Sequence, residues 1–458
     1  MGDVEGARAG RWLGGSVPTV RRLRRSRPLL LVAAMPGLSM VNAAVGLVLP
    51  GLLGPASFGE YALATTMFQY GLIFDLGISQ VIDRRIPVLS GPEAEAFTNL
   101  ALWGRLLIAA ITAAVGILLL TALSVAGALP FGLDAGILSL LAGLAFMLAL
   151  GPMSVDRAAS RREAFAHASA ASGIVLAAAR PLGIVVGGIS GSFVCLLLGY
   201  AAIAAAVTRR HPVHRPLPSA RALARLVAQG VPLFATSFIW AFYMTANRWV
   251  VSLVAQPLEL GHFAFGSNIV SLLVGTLGAL SQFYYPAVVS RVAAGGRFCA
   301  SRAVSRDLSL LALALAVICA AGIVVGPWAI RLAYPGFAGS EAPVRIMLAA
   351  VPSLVVSSWL MPLSLSTAAR PWIDGALCYP AALVLLLAGT YAGLRLDGIA
   401  GAGWGLVASA PALLLFQLGV LRLGSLLTGR GALAVLLATL SSTAALAALA
   451  IRITPLWT

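Results

Sequence analysis

The chain has 458 residues, of which 60% are hydrophobic and only 10% charged, with a formal net charge of +16. A soluble domain carries roughly 25% charged residues, so water-soluble, disordered and fibrous classes are excluded. A polytopic membrane protein is left.

A helix needs about 20 apolar residues to cross the hydrocarbon of a bilayer. Residues 1–27 form a basic segment, followed by an apolar run at 29–53. That run is too long for a signal-peptide core and reads as an uncleaved first span. Further runs follow at 58–82, 97–122, 131–153, 169–189 and 190–208, so a six-helix bundle is expected over 28–208. The stretch RRHPVHRPLPSARALAR at 209–225 then reads as an interdomain linker over 209–230, ending in a short amphipathic surface helix. Its two histidines, His211 and His214, read as solvated loop residues rather than a metal site. Runs at 231–254, 260–287, 308–330, 343–367, 373–394 and 398–421 predict a second six-helix bundle over 231–422. A last run at 431–451 makes 423–458 an additional hydrophobic segment. The fold class is therefore all-α and polytopic, with about 12–14 transmembrane helices. The four cysteines have no CxxC or paired spacing, and no disulfide, metal or cofactor is expected.

All 31 basic residues are arginine. They sit at membrane edges, so their excess implies no nucleic-acid partner. Twenty-four fall in the N-terminal segment or in the links after every second span, against four in the remaining links: Arg331, Arg345, Arg395 and Arg452. Basic residues favour the cytoplasmic side, which predicts a cytoplasmic N-terminus. A shift of 202 residues pairs PASFGEYALA (55–64) with PLELGHFAFG (257–266), aligning Pro55 with Pro257 and Gly59 with Gly261. Ser79-Gln80 then meets Ser281-Gln282. Six spans per half keep both halves in one orientation, the parallel repeat of transporters that open alternately to either side.

Residues 53–87, LGPASFGEYALATTMFQYGLIFDLGISQVIDRRIP, carry a Gly-Pro turn and Phe-Gly-x-Tyr opening the second span. Asp-Leu-Gly-x-Ser closes it, as Asp75, Leu76, Gly77 and Ser79. The second half adds Ala246-Asn247-Arg248, Leu260-Gly261 and a span closing on Tyr285-Pro286. In these segments the chain resembles the Wzx-type polysaccharide flippases, a branch of the multidrug/oligosaccharidyl-lipid/polysaccharide exporter superfamily. The resemblance implies a flippase of the bacterial cytoplasmic membrane, acting in surface polysaccharide biosynthesis. Its cargo would be polyprenyl-diphosphate-linked oligosaccharide, and its partners membrane lipid and other polysaccharide-assembly membrane proteins. Two features depart from the family: thirteen runs rather than twelve or fourteen, and Asn247-Arg248 where many members have an acid in the seventh span.

A charge at bilayer depth is costly and normally faces a wet cavity or a partner. Arg180, mid-way along the fifth span beside Pro181, either binds the diphosphate through its fork or pairs between helices. Arg248 in the seventh span either binds substrate or snorkels outward. Trp240, Tyr243, Met244, Asn247 and Arg248 share an arc of about 140° on a helix of 100° per residue. That face suits a sugar-diphosphate, although an aromatic stripe is also ordinary packing. Arg105 in the third span is a further candidate cation. Asp75 is assigned to coupling or gating, through a cavity arginine or a carried proton, with a structural contact as the alternative. Asn42 and Pro36, with Pro50, mark a candidate gating bend in the first span.

No P-loop, HExxH or Ser/His/Asp arrangement is present, and no enzyme is expected. A membrane polymerase or glycosyltransferase would need a larger outer loop than YPGFAGSEAP at 334–343. A multidrug or cation antiporter of the same superfamily would prefer an acidic cavity.

Overall fold

The computed structural model describes residues 27–211, 218–367, 378–423 and 427–453. Among them lie twelve α-helices and no strand. The first half contains α1 (Arg27–Leu53), α2 (Pro55–Ile73), α3 (Ile78–Arg85), α4 (Gly91–Val125), α5 (Leu133–Ala158) and α6 (Arg162–Thr208). The second contains α7 (Ala220–Ser252), α8 (Pro257–Ala333), α9 (Glu341–Leu348), α10 (Val351–Thr367), α11 (Tyr379–Leu423) and α12 (Gly429–Ile453). Each of the thirteen apolar runs lies mainly on helix where it is described, the run at 58–82 being interrupted between Ile73 and Ile78. The chain is an all-α, multi-span membrane protein, with eight helices among the described residues long and apolar enough to cross a membrane.

Three helices are too long to cross once. In α6 the chain reverses at Gly187 (φ −148°, ψ 27°) and Gly188 (φ 62°, ψ −147°). In α11 it reverses at Asp397 (φ −141°, ψ 28°) and Gly398 (φ 57°, ψ −147°). The second position of each turn needs a positive φ, which glycine adopts without a Cβ clash. Both hairpins also close on small residues: a Cβ at Gly183 would overlap the Gly191 carbonyl, and one at Gly393 the Gly401 carbonyl. The two turns are therefore the same device, set 210 residues apart. Helix α8 doubles back as well. Phe265, near its start, has its ring 5.3 Å from that of Tyr334, just past its end, which a straight 77-residue helix of about 115 Å forbids. Pro335–Leu348 and Val351–Met361 meet at a 55° bend, the form of a broken span or of a re-entrant loop.

Local chemistry sets the helix starts. Gly54 (φ 72°) turns the chain, and Pro55 opens α2 where its missing N–H costs nothing. The Ser219 hydroxyl accepts from the Ala222 amide at 3.3 Å and starts α7. Residues 220–225 are consequently the first turns of α7, not the separate surface helix that the linker's amphipathic pattern predicts.

The link chemistry sorts the ends. At one end Arg157 grips Asp83 through Nε (3.2 Å) and NH2 (2.6 Å), His211 meets Asp156, and Arg85 donates to Gln229 at 3.3 Å. At the other, Ser190 binds Asp134 and Tyr334 donates to the Leu47 carbonyl at 2.7 Å. The described links carrying Arg85, Arg157, Arg161 and His211 gather at this first, arginine-rich end. There, too, the halves touch: Gly77 and Gly230 are packed so closely that a Cβ on either would overlap the other's backbone. At the opposite end Gly59 meets Gly261, where a Cβ on Gly59 would lie 2.9 Å from the Gly261 nitrogen.

Candidate functional site

The break between α2 and α3 is built by Asp75. Its Oδ1 accepts from the Gly77 amide at 2.9 Å and its Oδ2 from the Ser79 amide at 2.9 Å. These bonds cap α3 while Leu76 (φ 49°) and Gly77 (φ 79°) turn the chain. Arg105 of α4 closes the arrangement. Its NH1 reaches Asp75 Oδ2 at 2.8 Å and also the Ser79 hydroxyl, and its NH2 reaches the Met147 carbonyl of α5. Arg105 is 1% exposed and Asp75 6%. Both are occupied with each other and with backbone, which gives them the geometry of a lock on the α2 bend. Neither presents a free charge to a substrate.

Next to this break the two halves meet along an aromatic seam. Phe234, Phe238 and Phe242 recur every fourth residue on α7 and so share one face. Phe74 lies edge-on to Phe234 (5.2 Å) and Phe238 (5.8 Å), and Tyr70 of α2 packs on Phe238 and Phe242. Farther along the same face, the Tyr70 hydroxyl meets Thr245 Oγ1 at 2.8 Å and accepts from Trp249 Nε1 at 3.1 Å. This polar cluster sits at the inter-half boundary within apolar surroundings.

Arg248 is one residue from it. It is 4% exposed, and donates from Nε to Ser267 Oγ (2.9 Å) and from NH2 to Ser271 Oγ (3.4 Å) on α8. Among the described residues no carboxylate pairs with it. A guanidinium buried against two neutral hydroxyls has no compensating carboxylate among the described residues.

The remaining predicted residues scatter. Tyr243 is fully buried inside the second half, its hydroxyl 2.8 Å from Ser409 Oγ of α11. Trp240 stacks on it and meets Tyr379 edge-on. Asn247 is 1% exposed, with Oδ1 unpartnered among the described residues. The predicted arc thus points partly into the second half: a helical wheel places residues on one side but does not say which neighbour covers it. Arg180 is half-buried in the first arm of α6, with Nε unpartnered among the described residues, near enough to Tyr200 to act on it electrostatically. Tyr200 belongs to a stack with Phe146 (4.1 Å) and Phe68 (6.0 Å). Arg180 and Arg248 thus lie one in each half. Helix α1 runs unbroken through Pro36 and Pro50, and Asn42 leaves Oδ1 buried without a described partner; the Pro36 side chain lies outside the described residues.

Sequence reading missed three features. The Phe234-Phe238-Phe242 spacing was available as a signal. Arg345, counted among the outer-link arginines, is 3% exposed on α9, with Nε and NH1 unpartnered among the described residues; its spacing of four from Glu341 was the only hint. His211, expected to be solvated, is 8% exposed and 2.8 Å from buried Asp156. Fifty-five residues separate that pair, and no local pattern marks it. His214 lies outside the described residues.

Comparisons with known proteins bear on the whole arrangement. A family model described as polysaccharide biosynthesis protein matches residues 48–336. No curated protein sequence matches the chain. Among solved structures, the chain is similar to the lipid II flippase MurJ in an inward closed conformation, at a TM-score of 0.65 and 14% identity over 91% of each chain. It is also similar to the Vibrio cholerae MATE transporter VcmN (TM-score 0.58, 15% identity, 86% of this chain and 96% of that one). An inward-facing multidrug resistance MATE transporter gives 0.54 and 13% identity over 93% and 98%. These likenesses show a common fold.

Proposed function

Because the chain belongs to the polysaccharide biosynthesis protein family, within a transporter superfamily whose fold it shares, we propose that it is a flippase for polyprenyl-diphosphate-linked oligosaccharide. The observation that carries this reading is Arg248, a buried cation at the inter-half boundary held, among the described residues, by serine hydroxyls. A diphosphate crossing a low-dielectric interior must meet a cation, since an unpaired dianion there is prohibitive. Tyr70, Thr245 and Trp249 beside it offer hydrogen bonds and an aromatic face to sugar hydroxyls. Rocking of the two bundles about the seam would expose this cluster to either side while the polyprenyl tail stays in lipid. The location is the bacterial cytoplasmic membrane, with the arginine-rich end toward the cytoplasm.

Asp75 is a carboxylate in a predicted span that a cation antiporter could use, and Arg105 already neutralises it. The anionic cargo is therefore favoured over a cationic drug. Deleting the gene is expected to trap polyprenyl-diphosphate oligosaccharide on the cytoplasmic face and to abolish a surface glycan. Restoration of glycan by the wild-type chain but not by Arg248→Ala, at equal membrane levels, supports the reading. Unchanged glycan with altered resistance to cationic dyes would replace it with the antiporter.

A further inference from the structure

At the arginine-rich end, away from the seam, the tips of α4, α5 and α6 enclose a pocket of about 240 Å³ lined by Glu95, Thr98, Asn99, Arg161, Arg210 and His211, with apolar wall from Ile86 and Val155. Its base is built rather than incidental. Asp156, 1% exposed, holds His211 Nε2 at 2.8 Å and has Arg161 NH1 at 3.7 Å, while Asp156 Oδ2 has no partner among the described residues. Arg161 and Arg210 also line a second notch with Glu163 and His167, so the two guanidinium groups form a shared ridge. Arg210 has no ion pair among the described residues, and Arg161 reaches Asp156 only loosely. Asp156 is engaged by His211 and compensates Arg161 only in part, so an anion reaching the ridge would meet the Arg210 guanidinium, which has no ion pair among the described residues.

Position and charge select the anion. Arg161 follows the end of α5 at Ala158, and Arg210 follows the end of α6 at Thr208, so both lie where a span leaves the hydrocarbon and headgroups begin. The apolar wall suits an esterified glycerol better than a hydrated ion. Glu95 on the rim opposes a second negative charge. We propose that this pocket binds the phosphodiester headgroup of an anionic phospholipid, with Arg161 and Arg210 on the phosphate and Glu95 accepting from a headgroup hydroxyl. Bidentate guanidinium–phosphate contacts supply both strength and orientation.

Native mass spectrometry of the detergent-solubilised chain, titrated with phosphatidylglycerol or phosphatidylcholine, tests this. Wild type is expected to hold phosphatidylglycerol at least tenfold more tightly than phosphatidylcholine, and the Arg161→Ala/Arg210→Ala pair to lose that preference. The exposed pair Arg302→Ala/Arg306→Ala, at the same end of the molecule, is expected to retain it. Arg210→Ala alone removes an exposed side chain with no described partner, so it tests the site even if the double variant is unstable, with an expected loss of about threefold or more. Equal binding of the two lipids by wild type, equal loss in both double variants, or displacement of phosphatidylglycerol by millimolar inorganic phosphate would each overturn the proposal, the last by making the pocket a free-phosphate site.

Discussion

The membrane-depth arginines differ in what their removal leaves behind. Arg248→Ala abandons two serine hydroxyls, neutral groups that bond back to their own helix: the Ser271 hydroxyl already donates to the Ser267 carbonyl at 2.8 Å. The variant is expected to reach the membrane at normal levels, checked by immunoblot, and to lose export. Arg248→Lys should retain more activity than alanine, because charge persists while the fork is lost. Arg105→Ala strands Asp75 as a buried carboxylate, a loss of about 3–5 kcal/mol in comparable pairs, and should lower the thermal midpoint or the amount of protein recovered. Pairing it with Asp75→Asn should restore much of the loss. Sequence alone separated these residues poorly. Arg105, Arg180 and Arg248 all read as cations at depth, and Asp75 as an acid that some arginine could meet. The partner was invisible because Asp75 and Arg105 approach only after α2 and α4 pack.

At the scale of the helix, the break after α2 is the feature that distinguishes the two halves. The Asp75-Leu76-Gly77 turn has Leu277, Gly278 and Ala279 as its counterparts in the repeat, and α8 continues through them as helix. Gly77 combines a φ of 79° with backbone contact to Gly230, so Gly77→Ala faces both a left-handed penalty of about 1–2 kcal/mol and a separation of the seam. Gly230→Ala faces only the second. Both variants are expected to weaken closure of the arginine-rich end, seen as faster labelling of a cysteine placed at Ser237 from that side, with the larger stability loss in Gly77→Ala. The spans themselves were legible, because runs of apolar residues and their arginine-bearing links obey the bilayer's thickness and charge asymmetry. The reversals within α6 and α11 were legible for the same reason: the boundaries at 189/190 and 394/398 fall beside Gly188 and Gly398. Which face of α7 meets α2 was not, since several faces of that helix carry aromatics and lipid is as apolar as the protein.

For the molecule as a whole, the proposed orientation has a direct check. Cysteines placed singly at Ala338 and Ser219, both exposed, in a cysteine-free background should react with an impermeant thiol reagent at the first position only, from outside whole cells. If the halves are self-sufficient bundles, a chain interrupted within 212–217 and expressed as two pieces should reassemble and restore part of the glycan. The crossing of Gly59 with Gly261 gives that expectation a deeper sense. These positions correspond under the internal repeat, and they touch each other instead of unrelated surfaces, as a residue on the axis of a symmetric dimer touches its own copy. In a half-length ancestor pairing with itself, any substitution there would have altered both sides of the contact at once. Joining the copies into one chain freed each side to change alone. The bend at Asp75, which α8 does not repeat at Leu277, Gly278 and Ala279, is what such freedom permits: two like parts, each able to bend where the other stays straight.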